Sequence, residues 1–398
     1  MGGTKMSEWK KVKLGDYIDV LSGFAFKSKD FCDSGVPVIK IKNISPPLVT
    51  LEEVSYVPYS IASQNPRYIL SKGDVLIALT GSHINQIASV VGRVGRVRYN
   101  ETSVLNQRVG KILNKNDEKS SLDYIYYYLS QFEVKVELAQ KAGGAANQAN
   151  ISPSDIKNLL FPCPDLGIQR RIAEILSRYD SLIENYQRQI KLLEEAAQRL
   201  YKEWFVDLHF PGHENTPIID GIPEGWEKKT VGEIAEFKRG KTITKKDIIE
   251  GSIPVVAGGL EPAYYCNKSN TDQRVITVSG SGANAGFTRM YFEKVWASDC
   301  SFIDCSTTEY LHFIYCYLIA NKSFLDNLQK GAAQPHVYAK DINALDVLVP
   351  SHNVINSFES VASKIFDVIA SKNNQIRNLT EARDRLLPKL MSGEIDIV

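Results

Sequence analysis

The sequence predicts an α+β protein, in which two similar β-rich domains are separated by an antiparallel coiled coil of two long helices with pseudo-twofold symmetry. Three observations predict this fold: the chain repeats itself once, each copy begins with short strand-like runs, and each copy ends with a long amphipathic helix. A length of 398 residues suits two domains with connectors. The predicted segments are a first domain (1–160), a first long helix (161–206), a linker (207–225), a second domain (226–350) and a second long helix with a tail (351–398).

The internal repeat is visible at both ends of each copy. WKKVKLG from Trp9 recurs as WEKKTVG from Trp226, and the same offset of 217 residues relates Gly23 to Gly240. Toward the end of each copy the offset falls to 186, the separation of Pro164 and Pro350. The second copy is therefore 31 residues shorter, and the loss lies in its middle. Surface loops vary most in length, so we expect a shared scaffold with different loops.

Short apolar runs broken by Gly, Asn and Ser open each copy. Such runs predict strands of a strongly bent sheet instead of βαβ units. A short helix follows them, LDYIYYYLSQF in the first copy and TEYLHFIYCYLIANK in the second. The predicted strand regions are 36–44, 74–81 and 87–97 in the first copy and 253–259, 274–282 and 290–298 in the second.

A long amphipathic helix closes each copy, because apolar residues recur there at steps of three and four. The first helix, if continuous over 168–205, would be about 57 Å long. We expect the second helix to end at Pro388. The alternative is that each helix packs only on its own domain. The residues predicted to pair the helices are Ile172, Ile175, Tyr179, Leu182, Ile190, Leu193, Leu200, Val361, Ile365, Ile376, Leu379 and Leu386.

Composition narrows the class of protein. The hydrophobic share of 43% and the charged share of 23% are typical of a folded chain. A net charge of +1 decides nothing about nucleic acid, because binding needs a basic face and not a basic total. The six cysteines form no CxxC pair, and no long apolar run is present, so we expect a reduced, cytoplasmic protein. The opening MGGTKM is left out of the fold argument.

Basic and amide side chains cluster in both copies. Residues 67–111 hold seven basic residues and two acidic ones. Lys and Arg neutralise phosphates, and Arg, Asn and Gln read base edges, so DNA contact competes here with a merely solvated basic face. The candidate DNA-contact residues are Lys42, His83, Asn85, Gln86, Arg93, Arg96, Arg98, Asn106, Gln107, Arg108, Arg239, Lys241, Lys245, Lys246, Ser281, Asn284, Arg289, Gln334 and His336.

Three loops belong to this hypothesis. The Gly-rich SGSGANAGF (279–287) is interpreted as a tight loop that lets Ser281 and Asn284 approach DNA, and a nucleotide-phosphate loop is the alternative. That alternative lacks the Lys-Ser/Thr ending of a P-loop. KAGGAANQAN (141–150) and KGAAQPH (330–336) align between the copies, either as equivalent loops near DNA or as simple helix stops.

We find no catalytic constellation in the sequence. NPRY (65–68) is similar to the NPPY of amino-methyltransferases, but Arg67 interrupts it and no glycine-rich cofactor loop precedes it. His209 and His213 have no evident third ligand, so no metal site is predicted. We expect a protein that binds DNA and performs no chemistry itself.

Particular segments resemble the specificity subunit of type I restriction–modification systems, and the resemblance covers essentially the whole chain. These segments are YKEWFVDLHFPG (201–212), GIPEGWEKKTVGEI (221–234), RDRLLPKLMSGEI (383–395) and PCPDLGIQRRIAEIL (162–176). PSHNVINSFESVA (350–362) departs from the family pattern because it lacks the Gln-Arg pair.

The resemblance implies a sequence-specific DNA-binding subunit in phage defence. Its two target-recognition domains would each read one half of an asymmetric bipartite site, across a spacer that the helices measure. It implies two modification subunits that methylate adenine with S-adenosylmethionine, and two motor-nuclease restriction subunits that use ATP and magnesium. This chain would bind none of these cofactors. Two alternatives remain open: a self-contained DNA enzyme, and a coiled-coil scaffold that binds only proteins.

Overall fold

The computed structural model describes residues 9–81, 90–143, 149–244, 246, 248–329, 335–395 and 397. The chain divides into two compact units. The first unit runs to Ile183 and is completed by the chain from Asn378, and the second unit is Glu184–Arg377. Each unit therefore combines one β-rich domain with part of both long helices. No helix in the described part of the chain has the length and apolar character needed to cross a membrane.

The first domain is built on a mixed, largely antiparallel sheet. Its central strands are ordered β2-β12-β8-β10-β5-β4, and a second sheet is ordered β6-β3-β11-β7. The elements are β1 (Lys11–Lys13), β2 (Ile18–Ser22), β3 (Val36–Ile39), β4 (Ile44–Ser45), β5 (Leu48–Val49), β6 (Ser55–Val57), α1 (Tyr59–Gln64), β7 (Ile69–Leu70), β8 (Val75–Ala78), β9 (Thr80–Gly81), β10 (Val94–Val97), β11 (Ser103–Leu105), β12 (Val109–Asn114), α2 (Leu122–Leu129), α3 (Phe132–Lys141), β13 (Ala149–Asn150), α4 (Pro153–Lys157) and β14 (Leu160–Pro162).

The second domain repeats this plan with fewer strands. Its sheets are ordered β18-β24-β21-β22 and β20-β19-β23. The elements are β15 (Ile218–Ile219), β16 (Ile222–Pro223), β17 (Glu227–Thr230), α6 (Val231–Ile234), β18 (Lys238–Arg239), β19 (Ile253–Val256), β20 (Tyr264–Cys266), β21 (Val275–Ser279), β22 (Thr288–Tyr291), β23 (Trp296–Ala297), β24 (Cys300–Asp304), α7 (Leu311–Ala320), α8 (Lys322–Asn327), α9 (Ala339–Asn343) and β25 (Asp346–Val349).

Strand pairing shows that the two domains share one topology. The first strand of each domain pairs antiparallel with its last, β1 with β14 and β17 with β25. β3 pairs parallel with β11, as β19 does with β23. The second domain has no described counterpart of the β4–β5 hairpin or of α1. The missing residues therefore lie in the middle of the copy, as the two offsets predicted.

Gly23 and Gly240 show why the repeat keeps particular residues. A Cβ on Gly23 would lie 2.2 Å from the Asn106 carbonyl oxygen, and one on Gly240 would lie 2.3 Å from the Ser298 carbonyl oxygen. Both glycines stand where the sheet's first strand ends against the neighbouring backbone. Only a residue without a side chain fits this approach.

Both long helices form, with limits that differ slightly from the prediction. α5 spans Leu166–Tyr201 and continues as a π-helical turn over Lys202–Val206. α10 spans His352–Ser392 and contains Pro388, so the predicted end at Pro388 is wrong. Proline removes one backbone hydrogen bond, but Leu387, Leu390 and Met391 around it are buried in the first unit's core and hold the last turn.

The two helices pair antiparallel in the second unit. The Lys372 ammonium lies 4.8 Å from the centre of the Tyr186 ring, and the Phe358 ring lies 6.0 Å from Trp204. Residue numbers thus fall along α10 as they rise along α5. In the first unit, Asp180 of α5 bonds Arg383 of α10. The predicted α+β class, with two β-rich domains and two long paired helices, is confirmed.

The buried stripe of each helix is rotated slightly from the predicted seam. Leu182 is 37% exposed and Val361 is 41% exposed, so their assignment to the seam is wrong. The neighbouring Ile183 and Ala362 are buried instead. An α-helix drifts from a strict heptad, and each helix also packs against a domain, which widens its buried face. Ile172 is buried, and the remaining predicted residues are half-buried, namely Ile175, Tyr179, Ile190, Leu193, Leu200, Ile365, Ile376, Leu379 and Leu386.

Each helix ends in the core of the unit opposite to the one where it began. Tyr201 and Phe205, at the end of α5, pack with Phe313 and Phe358 in the second unit. Leu387 and Met391, at the end of α10, pack in the first unit. The 186-residue offset relates Leu387 to Tyr201. The alternative that each helix packs only on its own domain is therefore wrong.

A buried polar contact joins the helices in the first unit. The Asp180 carboxylate accepts hydrogen bonds from the Arg383 Nη1 at 2.7 Å and from the Tyr127 hydroxyl at 2.6 Å. The Asp180 side chain is only 4% exposed. Burial raises the pKa of Tyr127, and the adjacent carboxylate raises it further, so the hydroxyl keeps its proton and remains a donor.

Candidate nucleic-acid interface

The predicted DNA-contact residues can be compared with one end of each central sheet. In the first domain, this end of the sheet is where β8 ends and β12 begins. There the Leu79 amide donates a hydrogen bond to the Arg108 carbonyl at 2.9 Å. The turn Asn106–Arg108 stands there, and its Gln107 and Arg108 side chains are exposed. β13 pairs antiparallel with β9, which brings Asn150 opposite Thr80. We call these residues, Asn106–Arg108, Thr80 and Asn150, the first tip.

The second tip is the same end of the second sheet, formed by Arg239, Ser281, Asp299 and His336. The Asp299 carboxylate accepts a hydrogen bond from the Ser281 hydroxyl and lies 3.6 Å from the Arg239 guanidinium. The Arg239 side chain is 67% exposed. The His336 ring stacks on Tyr338, with centroids 5.9 Å apart. A cation, a carboxylate and an imidazole thus lie together on an accessible surface.

The two tips correspond strand by strand. Ser281 forms a bridge with His336, as Thr80 pairs with Asn150. The offset of 186 relates Asn150 to His336, so the aligned loops 141–150 and 330–336 end at equivalent places. Their structural equivalence is confirmed for these ends. Residues 144–148 and 330–334, including Gln334, lie outside the described residues. Contact with DNA stays a prediction.

The two tips carry different side chains, although the strands that position them are equivalent. Arg108 occupies the position that Asp299 takes in the second domain, because each immediately precedes the equivalent strands β12 and β24. Ser22 ends β2 where Arg239 ends β18. Arg pairs with guanine and a carboxylate accepts from cytosine, so equivalent positions would present different hydrogen-bonding groups to a base pair.

The Gly-rich segment 279–287 is a hairpin loop. It joins β21 to β22, which pair antiparallel, and the Gly286 amide donates to the Ser279 carbonyl at 2.9 Å. Gly282 and Gly286 have φ of +79° and +84°, which other residues rarely adopt. A P-loop joins a strand to a helix, so this hairpin loop is not of that type. Ser281 reaches the second tip, whereas the Asn284 amide donates to the Gly258 carbonyl at 3.4 Å.

The prediction that Arg96 contacts DNA is wrong, because the residue is buried. It is 5% exposed, its guanidinium lies 4.2 Å from the centre of the Tyr126 ring, and its Nη2 lies 2.8 Å from the Asp123 carboxylate. Alternation along β10 turns this side chain inward, so it cannot reach a nucleic acid. Of its neighbours, Arg93 is half-buried and lines a cavity near Lys135, and Arg98 is half-buried just beyond the other end of the strand.

Other predicted residues lie away from the tips or cannot be placed. Arg289 lies on β22 and donates to the Leu260 carbonyl at 2.8 Å, in a cleft beside the long helices. Lys42 is exposed and lies 3.2 Å from Glu53. Lys241 is exposed beside Arg239, and Lys246 is exposed farther along the chain. The predicted His83, Asn85, Gln86 and Lys245 lie outside the described residues.

Sequence reasoning missed Asp299 of the second tip and Tyr338, which stacks on its His336. Asp299 was overlooked because the search favoured basic and amide side chains, although a carboxylate also reads bases. Tyr338 was overlooked because it follows His336 at a spacing that gives no periodic signal. The internal alignment gave no signal for Asp299, because Arg108 and Asp299 are 191 residues apart, which matches neither offset of the repeat.

Two β-rich domains with chemically different tips, together with two paired helices, define a protein that presents two related but non-identical surfaces. The chain matches the family described as type I restriction modification DNA specificity domain over residues 6–195 and 223–380. These two matches cover most of the chain, one for each copy of the repeat. The chain belongs to this family. The predicted role as a DNA-recognition component of type I restriction–modification is confirmed.

Individual relatives agree with the family match. The type I restriction enzyme MjaIX specificity subunit of Methanocaldococcus jannaschii is 26% identical, over 98% of this chain and 94% of the relative. The EcoBI specificity subunit of Escherichia coli is 21% identical, over 97% and 86%. The crystal structure of a type I restriction–modification S subunit from M. genitalium superposes with a TM-score of 0.60 at 18% identity, covering 100% and 99% of the two chains. This structural likeness supports the fold.

Proposed function

We propose that the chain reads a bipartite, asymmetric DNA sequence, with the first tip on one half-site and the second tip on the other. One observation carries this proposal: the tips are topologically equivalent but present different groups, Arg108 in one and Arg239 with Asp299 in the other. A protein with a repeated frame would recognise a symmetric sequence only if its contact residues also repeated. These residues do not repeat.

The proposal also assigns the chain's partners. The long helices would hold two modification subunits, and two restriction subunits would join that complex. The modification subunits would bind S-adenosylmethionine and flip the target adenine out of the duplex, and the restriction subunits would use ATP and magnesium. This chain would supply recognition and no chemistry. Among the described residues, no group of three or more His, Cys, Asp or Glu side chains is placed to hold a metal ion. The cytoplasmic location predicted from the sequence remains a prediction.

Domain exchange tests the division of the site. Residues 226–350 would be replaced by the corresponding unit of another family member, and the variant would be expressed with the cognate modification subunit. Methylome sequencing of the cells should show one altered half-site and one unchanged half-site. The reciprocal exchange of the first domain is the matched control and should alter the other half. If either exchange altered both halves, separate reading by the two domains would be wrong.

Activity of the isolated chain separates this proposal from its rivals. The purified chain should transfer no methyl group from S-adenosylmethionine to DNA until the modification subunit is added. Methylation without that subunit would establish a self-contained enzyme. A reconstituted methylase that kept its activity but lost all sequence preference would instead support a protein-binding scaffold.

A further inference from the structure

Arg239 and Asp299 form an exposed pair of opposite charges at the second tip. Their nearest charged atoms, Arg239 Nη2 and Asp299 Oδ1, lie 3.6 Å apart, which is beyond hydrogen-bond distance. The two side chains are 67% and 39% exposed. An ion pair this long and this exposed contributes little to stability, so its place at the tip needs another explanation.

The ends of two strands hold both residues in position. Arg239 ends β18, which pairs antiparallel with β24. Asp299 directly precedes β24, and its backbone carbonyl accepts a hydrogen bond from the Gly280 amide at 3.2 Å. The Asp299 Oδ2 atom accepts a hydrogen bond from the Ser281 hydroxyl, while Oδ1 faces Arg239. The carboxylate is therefore oriented before any ligand is bound.

The two side chains together offer a fixed order of hydrogen-bonding groups. The Arg239 guanidinium has parallel N–H donors, and Asp299 Oδ1 is an acceptor beside them, so the order is donor, donor, acceptor. A G·C pair presents the complementary order in the major groove, because guanine N7 and O6 accept and cytosine N4 donates. An A·T pair presents acceptor, donor, acceptor, and two of these three groups would be mismatched.

The spacing of the two charged groups also fits a single base pair. Guanine O6 and cytosine N4 share a Watson–Crick hydrogen bond, so these two atoms lie about 3 Å apart. The distance of 3.6 Å between Arg239 and Asp299 would place the guanidinium on guanine and the carboxylate on cytosine of the same pair. Neither side chain would need to move away from the other to make these contacts.

Positive charge surrounds this pair. Lys340 lines the same cavity as Arg239 and Asp299 and is exposed, and Lys241 is exposed beside Arg239. Lysine neutralises backbone phosphates and carries no information about sequence there. The surface can thus attract the duplex although Asp299 is acidic.

The first domain does not present the same order of groups. Arg108 stands where Asp299 stands in the second domain, and Ser22 stands where Arg239 stands. A cation thus replaces the acceptor, and a hydroxyl replaces the guanidinium. Any preference that depends on this order belongs to the second domain alone.

We propose that Arg239 and Asp299 read one G·C base pair in the second domain's half-site, with Arg239 on guanine and Asp299 on cytosine. The inference rests on the proposed function, which assigns the second tip to that half-site. It adds the identity of a base pair to a surface that was so far assigned only a half-site. Ser281 is then a positioning residue, because its hydroxyl orients the Asp299 carboxylate.

Changes in both the protein and the DNA test this assignment. Domain exchange first identifies the second domain's half-site, and duplexes with each base-pair change in that half are then methylated by the reconstituted complex. The unaltered complex should lose about 10- to 100-fold in methylation efficiency when one particular G·C pair becomes A·T. Arg239→Ala and Asp299→Ala should each lose this preference at that position and keep the preferences elsewhere. Relaxation at two different positions, or at an A·T pair, would overturn the assignment.

A single-atom change in the base tests the contact with guanine. 7-Deazaguanine keeps Watson–Crick pairing but lacks the N7 acceptor. At the assigned position it should reduce methylation by the unaltered complex about tenfold and should have no further effect on the Arg239→Ala complex. An equal reduction in both complexes, or none in either, would show that Arg239 does not read guanine from the major groove.

The exposed pair of Lys294 with Asp272 is the matched control. Its side chains are 53% and 51% exposed, and the Asp272 amide donates to Asp304, which ends β24 far from the tip. Lys294→Ala and Asp272→Ala should leave every base preference unchanged, and relaxation by either would overturn the assignment. If exchange of the second domain altered both half-sites, the proposed function itself would fail. If it altered one and the tip variants shared no G·C position, only this inference would fail.

Discussion

The two domains are most alike where their backbones are in close contact, and they differ most at their tips and outer sheet edges. Their first and last strands pair in the same way, and Gly23 and Gly240 occupy the same close contact. The tips and the outer sheet edges have diverged, by substitution at the tips and by loss of a hairpin at the edge. The shared strand pairing therefore keeps two recognition surfaces in equivalent places, while the side chains of each surface can change independently.

The two units also hold the long helices by different means. The second unit uses an aromatic cluster, in which Phe358 contacts Phe205 and Phe313, and a polar contact in which His312 Nδ1 lies 2.6 Å from Glu359. In the first unit the helices contribute aliphatic side chains such as Ile172 and Leu387 to the core, together with the buried pair of Asp180 with Arg383. The 186-residue offset relates Asp180 to Phe366 and Arg383 to Ala197, so the positions that form an ion pair in the first unit carry apolar side chains in the second.

The largest effect is expected from Phe358→Ala in the aromatic cluster. Phe358 is fully buried and touches four aromatic rings, so its removal leaves a cavity in the second unit. We expect a loss of about 4 kcal/mol in the free energy of unfolding, measured by denaturant titration. Phe324→Ala, at a position 50% exposed, is the control and should change stability by less than about 0.5 kcal/mol. A similar loss for both variants would contradict the role of the cluster.

Asp180→Ala tests the buried ion pair in the first unit. It leaves the Arg383 Nη1 and the Tyr127 hydroxyl without their acceptor, while Asp384 still accepts from Arg383 Nε and Nη2, so we expect a loss of about 2 kcal/mol. Replacing both residues, as Asp180→Leu with Arg383→Met, should recover part of this loss because no buried charge is then unpaired. Glu174→Ala breaks an exposed pair with Arg178 and should cost about 0.5 kcal/mol or less. An equal cost for Asp180→Ala and Glu174→Ala would show that burial of the pair is unimportant.

These contacts show where sequence reasoning succeeds and fails. The repeat, the strands and the long helices were predictable because they follow from periodicity and from glycines in close backbone contacts. The helix seam was predictable only to within one residue, since a side chain such as Ala362 packs in a domain's core as well as against a helix. The tips could be predicted in part: Arg108 and Arg239 are exposed there. The burial of Arg96 depends on Tyr126 and Asp123, which lie far from it in sequence.

A smaller effect is expected from the two tip arginines, and it should separate the half-sites. Arg239→Ala should weaken DNA binding by the complex about 10- to 100-fold, the range for one base contact, and relax preference only in the second domain's half-site. Arg108→Ala should do the same for the other half. Methylation of substrates altered in one half-site measures both. Lys228→Ala removes an exposed positive charge on β17 and is the control. Relaxation of both half-sites by one variant would contradict separate reading by the tips.

The smallest effect on DNA binding is expected from Arg96→Met. Arg96 is buried, and its Nε and Nη2 atoms have no hydrogen-bond partner, although Nη2 lies close to a half-exposed Asp123. Its stacking on Tyr126 is an apolar contact that methionine largely preserves, so the free energy of unfolding should change by no more than about 1 kcal/mol. DNA affinity should stay within about twofold of the unaltered complex, because one inward-facing charge adds little to the phosphate contacts. A tenfold loss of affinity with unchanged stability would return Arg96 to the recognition surface. It would also mean that the β4–β5 hairpin, which covers β10, moves aside when the first domain binds DNA.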